Sequence, residues 1–217
     1  DTLWNYELGV KTSWLEDRLT ANGVIYRIDW DDMQLSGLDP NNFVPGIRNV
    51  GKAGIQGLEL EFDYLVTDSL RLGLNYAFAD ALLQEDYLVN PVDPSTLQAS
   101  DGDRLPGSAR HNYALFVDWQ RSLTTELNLV FRATHRYIGN RVSNLEDSND
   151  GNPLLPSYRL TDLRIGVESA NGLTASLFAD NVFNKITVTS EFTEGRYMRT
   201  NLITRPRTVG INVGYRF

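Results

Sequence analysis

The sequence predicts an all-β protein, an antiparallel β-barrel that crosses a lipid bilayer with its strands. Three observations support this fold class. Apolar and polar residues alternate along most of the 217 residues, short polar turns alternate with long polar loops, and aromatic residues recur ten positions apart on the apolar side of a strand. Alternating faces, with short turns at one end and long loops at the other, are typical of membrane barrels.

The first two predicted strands form a hairpin. Even-numbered positions from Trp4 to Trp14 are mostly apolar and odd-numbered ones mostly polar, which is the period of two of a strand. After a polar turn at 15–18, the second strand is predicted to place four large residues on the same apolar face: Val24, Tyr26, Ile28 and Trp30.

Seven further strands show the same alternation. They are predicted from Leu58, Leu70, Tyr113 and Leu127, and over 158–169, 173–190 and 203–217, which gives about nine strands. Short turns at 66–69, 121–125 and 170–172 alternate with long loops near 36–49, 83–108, 140–157 and 191–202. Because all long loops then lie at one end, the pattern favours a membrane barrel over a soluble β-sandwich.

Aromatic residues are predicted to border the apolar band. Trp4 and Trp14 are ten residues apart, and a tilted strand separates such positions by roughly 24 Å, close to the height of about 25 Å between aromatic girdles. Two residues are predicted for the girdle beside the short turns, Tyr64 and Trp119, and three for the girdle beside the long loops, Trp30, Tyr76 and Tyr137.

The opposite face of the strands carries charged and amide side chains. The predicted members are Arg27, Asp29, Glu59, Glu61, Asp63, Asn75, Asp118, Asn128, Arg132 and Arg136. Charges inside a small barrel would be buried at high cost, so a wide, wet interior is predicted. Because a closed bacterial barrel needs an even number of antiparallel strands, the nine strands are interpreted as the carboxy-terminal part of a larger barrel.

Composition excludes several function classes. The mean hydropathy is -0.31, and no run approaches the roughly 18 apolar residues of a membrane helix. Cysteine is absent, and the net charge of -8 argues against nucleic acid as a partner. The acidic loop 143–153 lacks the spacing of a calcium loop. No catalytic constellation is present, so neither an enzyme nor a metal or cofactor site is predicted.

Motifs along nearly the whole chain resemble those of TonB-dependent outer-membrane receptors. The matching segments are N-Y-E-L-G-V-K at 5–11, Y-R-I-D-W-D-D-M-Q at 26–34, G-L-E-L-E at 57–61, R-L-P-G-S-A-R-H at 104–111, L-P-S-Y at 155–158 and D-N-V-F-N-K at 180–185. Ala109 stands where that family usually has proline, and the last segment departs at two positions from its commoner N-L-F-D-K.

The resemblance implies a barrel of about 22 strands with a plugged lumen. Residues 1–217 would be its carboxy-terminal portion, with the plug domain and the TonB box absent from this chain. It also implies a location in the bacterial outer membrane and uptake of a scarce nutrient, with a ferric siderophore as the leading ligand, driven by the TonB complex acting on the plug. A passive porin or adhesin-like barrel and a soluble β-sandwich binding module remain alternatives.

Two groups of residues are candidates for function. Cationic side chains at the loop end are proposed to contact an anionic ferric chelate through charge-assisted hydrogen bonds: Arg104, Arg110, Arg136, Arg141 and Arg196. Alternatively, these arginines balance loop carboxylates or bind lipopolysaccharide phosphates, since outer-membrane lipid is an expected partner. The resemblance further implies that Val213, Tyr215 and Phe217 belong to the signal read by the barrel-assembly machinery.

Overall fold

The computed structural model describes residues 1–38, 45–88, 92–143, 145, 154–194 and 198–216. These residues form fifteen strands and one turn of 3-10 helix, Pro94–Thr96. The strands are β1 (Thr2–Trp14), β2 (Leu19–Leu38), β3 (Pro45–Thr67), β4 (Leu70–Leu83), β5 (Tyr87–Leu88), β6 (Leu97–Ala99), β7 (His111–Ser122), β8 (Leu127–Ile138), β9 (Arg141–Val142), β10 (Leu154–Leu155), β11 (Tyr158–Ser169), β12 (Leu173–Asp180), β13 (Val188–Glu194), β14 (Met198–Ile203) and β15 (Thr208–Tyr215).

Nine of these strands form one antiparallel sheet in the order β1-β2-β3-β4-β7-β8-β11-β12-β15. Each strand pairs with the long strand that follows it in the chain, and β1 and β15 are the two edges. The predicted all-β fold with nine antiparallel strands is therefore confirmed, as an open sheet. Among the described residues, no helix has the length and apolar character needed to span a bilayer.

The connections differ sharply between the two ends of the sheet. At one end the strands are joined by the short turns 15–18, 68–69, 123–126 and 170–172. At the other end the connections are longer, and they contain the three small hairpins β5/β6, β9/β10 and β13/β14. We call these the short-turn end and the long-connection end. The predicted alternation is confirmed, although much of the predicted loop 36–49 continues the β2/β3 hairpin.

Two predicted strands are shorter than expected. The interval 173–190 ends as a sheet strand at Asp180, and the interval 203–217 begins as one at Thr208. Between them the chain leaves the sheet at Asn181, which has a left-handed φ of 49°, and forms the separate hairpin β13/β14. Alternation shows that a segment is extended, but it does not reveal which strand the segment pairs with.

One face of the sheet is apolar and exposed. Cross-strand pairing places the even-numbered residues of β1 on the same face as Ile25, Leu115, Leu177 and Ile211. Leu8 is 71% exposed and Ile211 72% exposed. The large exposed residues on this apolar face include Trp4, Tyr6, Leu8, Val10, Trp14, Ile25, Leu72, Leu115, Ile165, Leu177, Val209, Ile211, Val213 and Tyr215.

The predicted faces of β2 are wrong by one residue. Trp4 pairs with Asp29, and Leu3 pairs with Trp30. Val24, Tyr26, Ile28 and Trp30 therefore lie on the polar face, and Arg27 and Asp29 lie on the side of the apolar face. The error arises because both faces of β2 carry apolar residues, so alternation alone does not identify the outer one.

Most of the other face predictions are confirmed. Tyr76 and Tyr137 lie on the apolar face on either side of Tyr113, whereas Trp30 does not belong to that row. Tyr64 and Trp119 lie on the same face near the short-turn end. Eight of the predicted polar-face residues do share the polar face: Glu59, Glu61, Asp63, Asn75, Asp118, Asn128, Arg132 and Arg136.

Aromatic rings on the polar face lie against glycines of a neighbouring strand. The paired residues are Tyr26 with Gly57, Phe116 with Gly73, and Phe178 with Gly210. A Cβ atom added at these glycines would lie 2.0, 1.8 and 2.5 Å from a ring carbon, respectively. Each ring therefore occupies space that is open only because its neighbour has no side chain.

A small hydrophobic core closes the long-connection end. The connection between β4 and β7 folds back onto the sheet, where the Leu105 N–H donates to the Ala81 carbonyl (3.0 Å) and the Leu83 N–H to the Asp103 carbonyl (2.8 Å). Trp30 packs against this core, which explains its inward position. The buried members are Met33, Ala53, Ala81, Leu83, Ala99, Leu105 and Leu145.

Candidate functional site

The polar face carries charged side chains that pair across neighbouring strands. Arg71 of β4 donates from Nε to both carboxylate oxygens of Asp63 on β3, at 2.8 and 2.9 Å. Arg132 of β8 pairs with Asp118 of β7. Ion pairs of this kind contribute only modestly to stability where solvent reaches them. They nevertheless allow the polar face to carry many charges while leaving few of them without an ionic partner.

Two recesses lie along this part of the sheet. One, of about 490 Å³, is bounded by Arg71, Asp118, Arg132 and Arg164 nearer the short-turn end. The other, of about 540 Å³, is lined by Lys11, Asn22, Glu59, Glu61, Asn75, Asn112 and Arg136. Both recesses combine hydrogen-bonding groups with apolar side chains, such as Phe131 and Val167 in the first and Val24, Leu60 and Ile138 in the second.

Arg104 and Arg110 meet at a single carboxylate. Arg110 Nη2 donates to Asp80 Oδ1 (2.6 Å), and Arg104 Nη2 donates to the same oxygen (3.1 Å). The hydrogen bond from Arg110, reinforced by Arg104, lowers the pKa of the Asp80 carboxyl, which lies beyond the row of tyrosines that contains Tyr76. The cluster carries one more positive than negative charge.

This cluster lies on the apolar side of the sheet. Asp80 follows Phe78 on the apolar face, and Arg104 is opposite Leu82, which shares that face. Arg104 and Arg110 are therefore near the long-connection end, as predicted, but they approach a carboxylate on the outer side of the sheet rather than on its polar face.

The other proposed arginines occupy different environments. Arg136 lies on the polar face, where Nη2 donates to Asp162 Oδ2 (2.6 Å). Arg141 is only 7% exposed. Its guanidinium lies 5.5 Å above the Tyr158 ring and donates to the Thr189 carbonyl, which ties β9 to β13. Arg196 lies outside the described residues. The structure thus brings two of the five together.

The proposed assembly residues lie on the last strand. Val213 and Tyr215 are exposed on the apolar face of β15, opposite Ala175 and Leu173 of β12. Phe217 lies outside the described residues.

Asn181 organises the corner where the chain leaves β12, a role that the sequence analysis did not assign. Asn181 is buried, and Nδ2 donates to the carbonyls of Lys185 (3.0 Å) and Arg205 (2.8 Å). Oδ1 accepts from the Lys185 N–H (2.9 Å). The Asn181 N–H donates to Asp162 (2.8 Å), the carboxylate that also binds Arg136. The D-N-V-F-N-K segment was the signal in the sequence for this corner.

The two histidines lie on the apolar face in the cross-strand rows on either side of the tyrosine row, His111 opposite Phe78 and His135 opposite Leu115. Tyr76 Oη lies 2.9 Å from His111 Nδ1, and His135 Nδ1 lies 2.8 Å from Thr161 Oγ1. Arg159, which sequence analysis did not single out, lies 5.1 Å above the Tyr137 ring. Aromatic and basic groups thus border the apolar face toward the long-connection end.

Comparison with known proteins identifies the family. Residues 2–182 match the model of the TonB dependent receptor-like β-barrel, and the chain belongs to this family. It is 27% identical over 181 residues to the metal-pseudopaline receptor CntO of Pseudomonas aeruginosa, which covers 83% of this chain and 23% of that receptor. The chain therefore spans about a quarter of the length of this curated relative.

Solved structures share the fold at lower identity. The ferric yersiniabactin uptake receptor FyuA of Yersinia pestis superposes with a TM-score of 0.75 at 21% identity, over 97% of this chain and 29% of that receptor. The siderophore receptor PiuA of Acinetobacter baumannii gives 0.74 at 16% identity, over 98% and 28%. The nine-stranded sheet is thus a segment of barrel wall of this kind.

Proposed function

We propose that the chain is the carboxy-terminal portion of the barrel wall of a TonB-dependent outer-membrane receptor that takes up a ferric chelate. One observation carries this proposal: the nine-stranded sheet of this chain has an exposed apolar face and, on its other side, a face of paired charges. The apolar face suits lipid and the polar face suits the lumen. The short turns then face the periplasm, and the long connections face the outside.

The ligand class is supported by the related receptors. The names of the similar proteins specify metal-pseudopaline, ferric yersiniabactin and a siderophore. Because this chain spans only about a quarter of such receptors, we assign the plug domain, the TonB box and hence contact with the TonB complex to other parts of the protein.

The proposed arginines divide between two partners. Arg136 on the polar face is suited to an anionic ligand that enters from the long-connection end, where Arg141 also lies. Arg196 stays a proposed contact on the basis of the sequence alone. Arg104 and Arg110, whose cluster with Asp80 lies on the apolar side beyond the tyrosines, are better suited to lipopolysaccharide phosphates.

Replacing Arg136 by glutamine in the complete receptor is expected to raise the half-saturating concentration for ferric siderophore uptake about tenfold or more. A charge-assisted hydrogen bond contributes about 1.5–3 kcal/mol, and 1.4 kcal/mol is a factor of ten. Uptake of radioactive iron by cells lacking other receptors would be measured with a panel of ferric siderophores.

Arg121→Gln is the matched control, because Arg121 is exposed near the short-turn end. Uptake that is unchanged in Arg136→Gln for every transported chelate would remove this residue from the ligand path. Uptake that does not depend on TonB would favour a passive porin instead.

Deleting Phe217 from the complete receptor is expected to reduce its assembly in the outer membrane several-fold. We propose that Val213, Tyr215 and Phe217 present the aromatic, apolar edge that the barrel-assembly machinery binds. The amount of heat-modifiable barrel in isolated outer membranes measures assembly. Asn212→Ser, a change on the opposite face of the same strand, should leave the amount unchanged, and normal assembly of the deletion variant would contradict the proposal.

A further inference from the structure

Asp162, on the polar face of β11, is held from two directions. One carboxylate oxygen, Oδ2, accepts a hydrogen bond from Arg136 Nη2 on β8 (2.6 Å). The other, Oδ1, accepts from the Asn181 N–H just after the end of β12 (2.8 Å). Because β8 and β12 flank β11 in the sheet, this one carboxylate links a cation on one side of β11 to the chain that leaves the sheet on the other side.

The second partner of Asp162 belongs to the buried corner from which the β13/β14 hairpin rises. The Asn181 side chain binds the carbonyls of Lys185 and Arg205, and the Thr204 hydroxyl donates to the same Lys185 carbonyl (2.6 Å). The buried Thr204 also pairs with Thr187: its N–H donates to the Thr187 carbonyl (3.0 Å), and its hydroxyl accepts from the Thr187 N–H (3.2 Å). These bonds close the base of the hairpin.

Arg136 reaches Asp162 diagonally from the neighbouring strand. The residue opposite Arg136 is Leu160, and the residue opposite Asp162 is Thr134, so the long arginine side chain spans one diagonal step between β8 and β11. Since both carboxylate oxygens belong to one planar group, the hydrogen bond at Oδ2 fixes the direction in which Oδ1 points. A carboxylate released by Arg136 would turn toward water, and the N–H of the buried Asn181 would then lack its acceptor for part of the time.

We propose that Asp162 is a positioning residue that couples Arg136 on the polar face to the β13/β14 hairpin at the long-connection end. The ion pair with Arg136 holds the carboxylate in the orientation that serves Asn181, and Asn181 in turn holds the base of the hairpin. A change at Arg136 therefore alters the stability of a hairpin with which this arginine forms no hydrogen bond among the described residues. The coupling exists without any ligand, so it can fail while the proposed uptake function stands.

Arg132 provides a matched comparison on the same strand. It lies four residues from Arg136 on the polar face of β8, it is also exposed, and it pairs with one carboxylate, that of Asp118. Asp118 is on β7, which borders β8 on the side away from β11. Breaking this ion pair therefore removes the same kind of interaction but leaves the carboxylate that contacts the corner in place.

The test is amide hydrogen exchange of the complete receptor in lipid nanodiscs, followed by mass spectrometry over residues 181–187. The hydrogen-bonded amides of this segment are those of Asn181, Val182, Asn184, Lys185 and Thr187. Arg136→Gln is expected to speed their exchange about fivefold, as the weakening of one hydrogen bond does. Arg136→Lys, which keeps the charge and a donor, should stay close to the wild-type rate, and Arg132→Gln should not differ from the wild type.

A double-mutant cycle separates coupling through Asp162 from general loosening of the sheet. Asp162→Ala should speed exchange of the same segment at least as much as Arg136→Gln does. Adding Arg136→Gln to Asp162→Ala should then change little, because both substitutions act on one carboxylate. Heat-modifiable migration on gels confirms that each variant has assembled its barrel. Unchanged exchange in Arg136→Gln, equal acceleration in Arg132→Gln, or effects of Arg136→Gln and Asp162→Ala that simply add would each overturn the coupling.

Discussion

Replacing Ile211 by arginine is expected to lower the free energy of unfolding of the complete receptor in a bilayer by about 2–4 kcal/mol. Ile211 is 72% exposed on the apolar face, between Val209 and Val213 and opposite Leu177. A guanidinium placed there has no polar partner within the apolar band, so it would lose its hydration or distort the bilayer. Urea titration of receptor refolded into phosphatidylcholine vesicles measures the difference.

The neighbouring residue provides the control. Asn212 is also exposed, but it lies on the polar face opposite Ser176. Asn212→Arg should therefore change the unfolding free energy by less than about 1 kcal/mol, as surface changes usually do. Equal costs at the two positions would mean that β15 does not present its odd-numbered face to lipid, and the assignment of faces would have to be abandoned.

Replacing Asn181 by alanine is expected to destabilise the corner after β12 by about 3 kcal/mol. The change would leave the Lys185 N–H and the Arg205 carbonyl without their Asn181 partner, whereas the Lys185 carbonyl would keep the Thr204 hydroxyl. An unsatisfied buried group costs about 1–3 kcal/mol. Alanine also tolerates the left-handed backbone less well than asparagine does. Limited proteolysis should then cleave between β13 and β15 at a much higher rate than in the wild type.

Asn184→Ala separates the two causes. Asn184 has nearly the same backbone, with a φ of 50°, but it is exposed and its side chain accepts one hydrogen bond, from the Arg207 N–H (2.9 Å). Asn184→Ala should therefore introduce the same backbone strain as Asn181→Ala, but it should leave few buried groups unsatisfied. If Asn184→Ala proved as damaging as Asn181→Ala, backbone strain rather than the buried hydrogen bonds would hold the corner.

The sequence predicted the features of the fold that depend on local order. A period of two marks a strand, and the contrast between short and long connections separates the two ends of the sheet, so nine antiparallel strands could be predicted. The faces of β2 could not, because Tyr26 and Trp30 are as apolar as Leu19 and Ile25. Their orientation is set by pairing with β1 and by the core around Met33.

The candidate site was less predictable because its partners are distant in the chain. Asp80 binds Arg104 and Arg110 across 24 and 30 residues, and no spacing rule connects them. The five arginines were proposed because of their residue type and their position in or near a loop. Neither property shows on which side of the sheet a long side chain ends, nor which carboxylate already neutralises it. The Asn181 corner was visible only as a motif.

The glycines opposite the three aromatic rings also determine how far these rings stand out from the polar face. Because Tyr26, Phe116 and Phe178 lie against Gly57, Gly73 and Gly210, these bulky groups cover the wall instead of projecting from it. A side chain at any of the glycines would push the ring away from the sheet, so that it stood farther out from the polar face. The relief of the polar face is therefore set partly by residues that have no side chain.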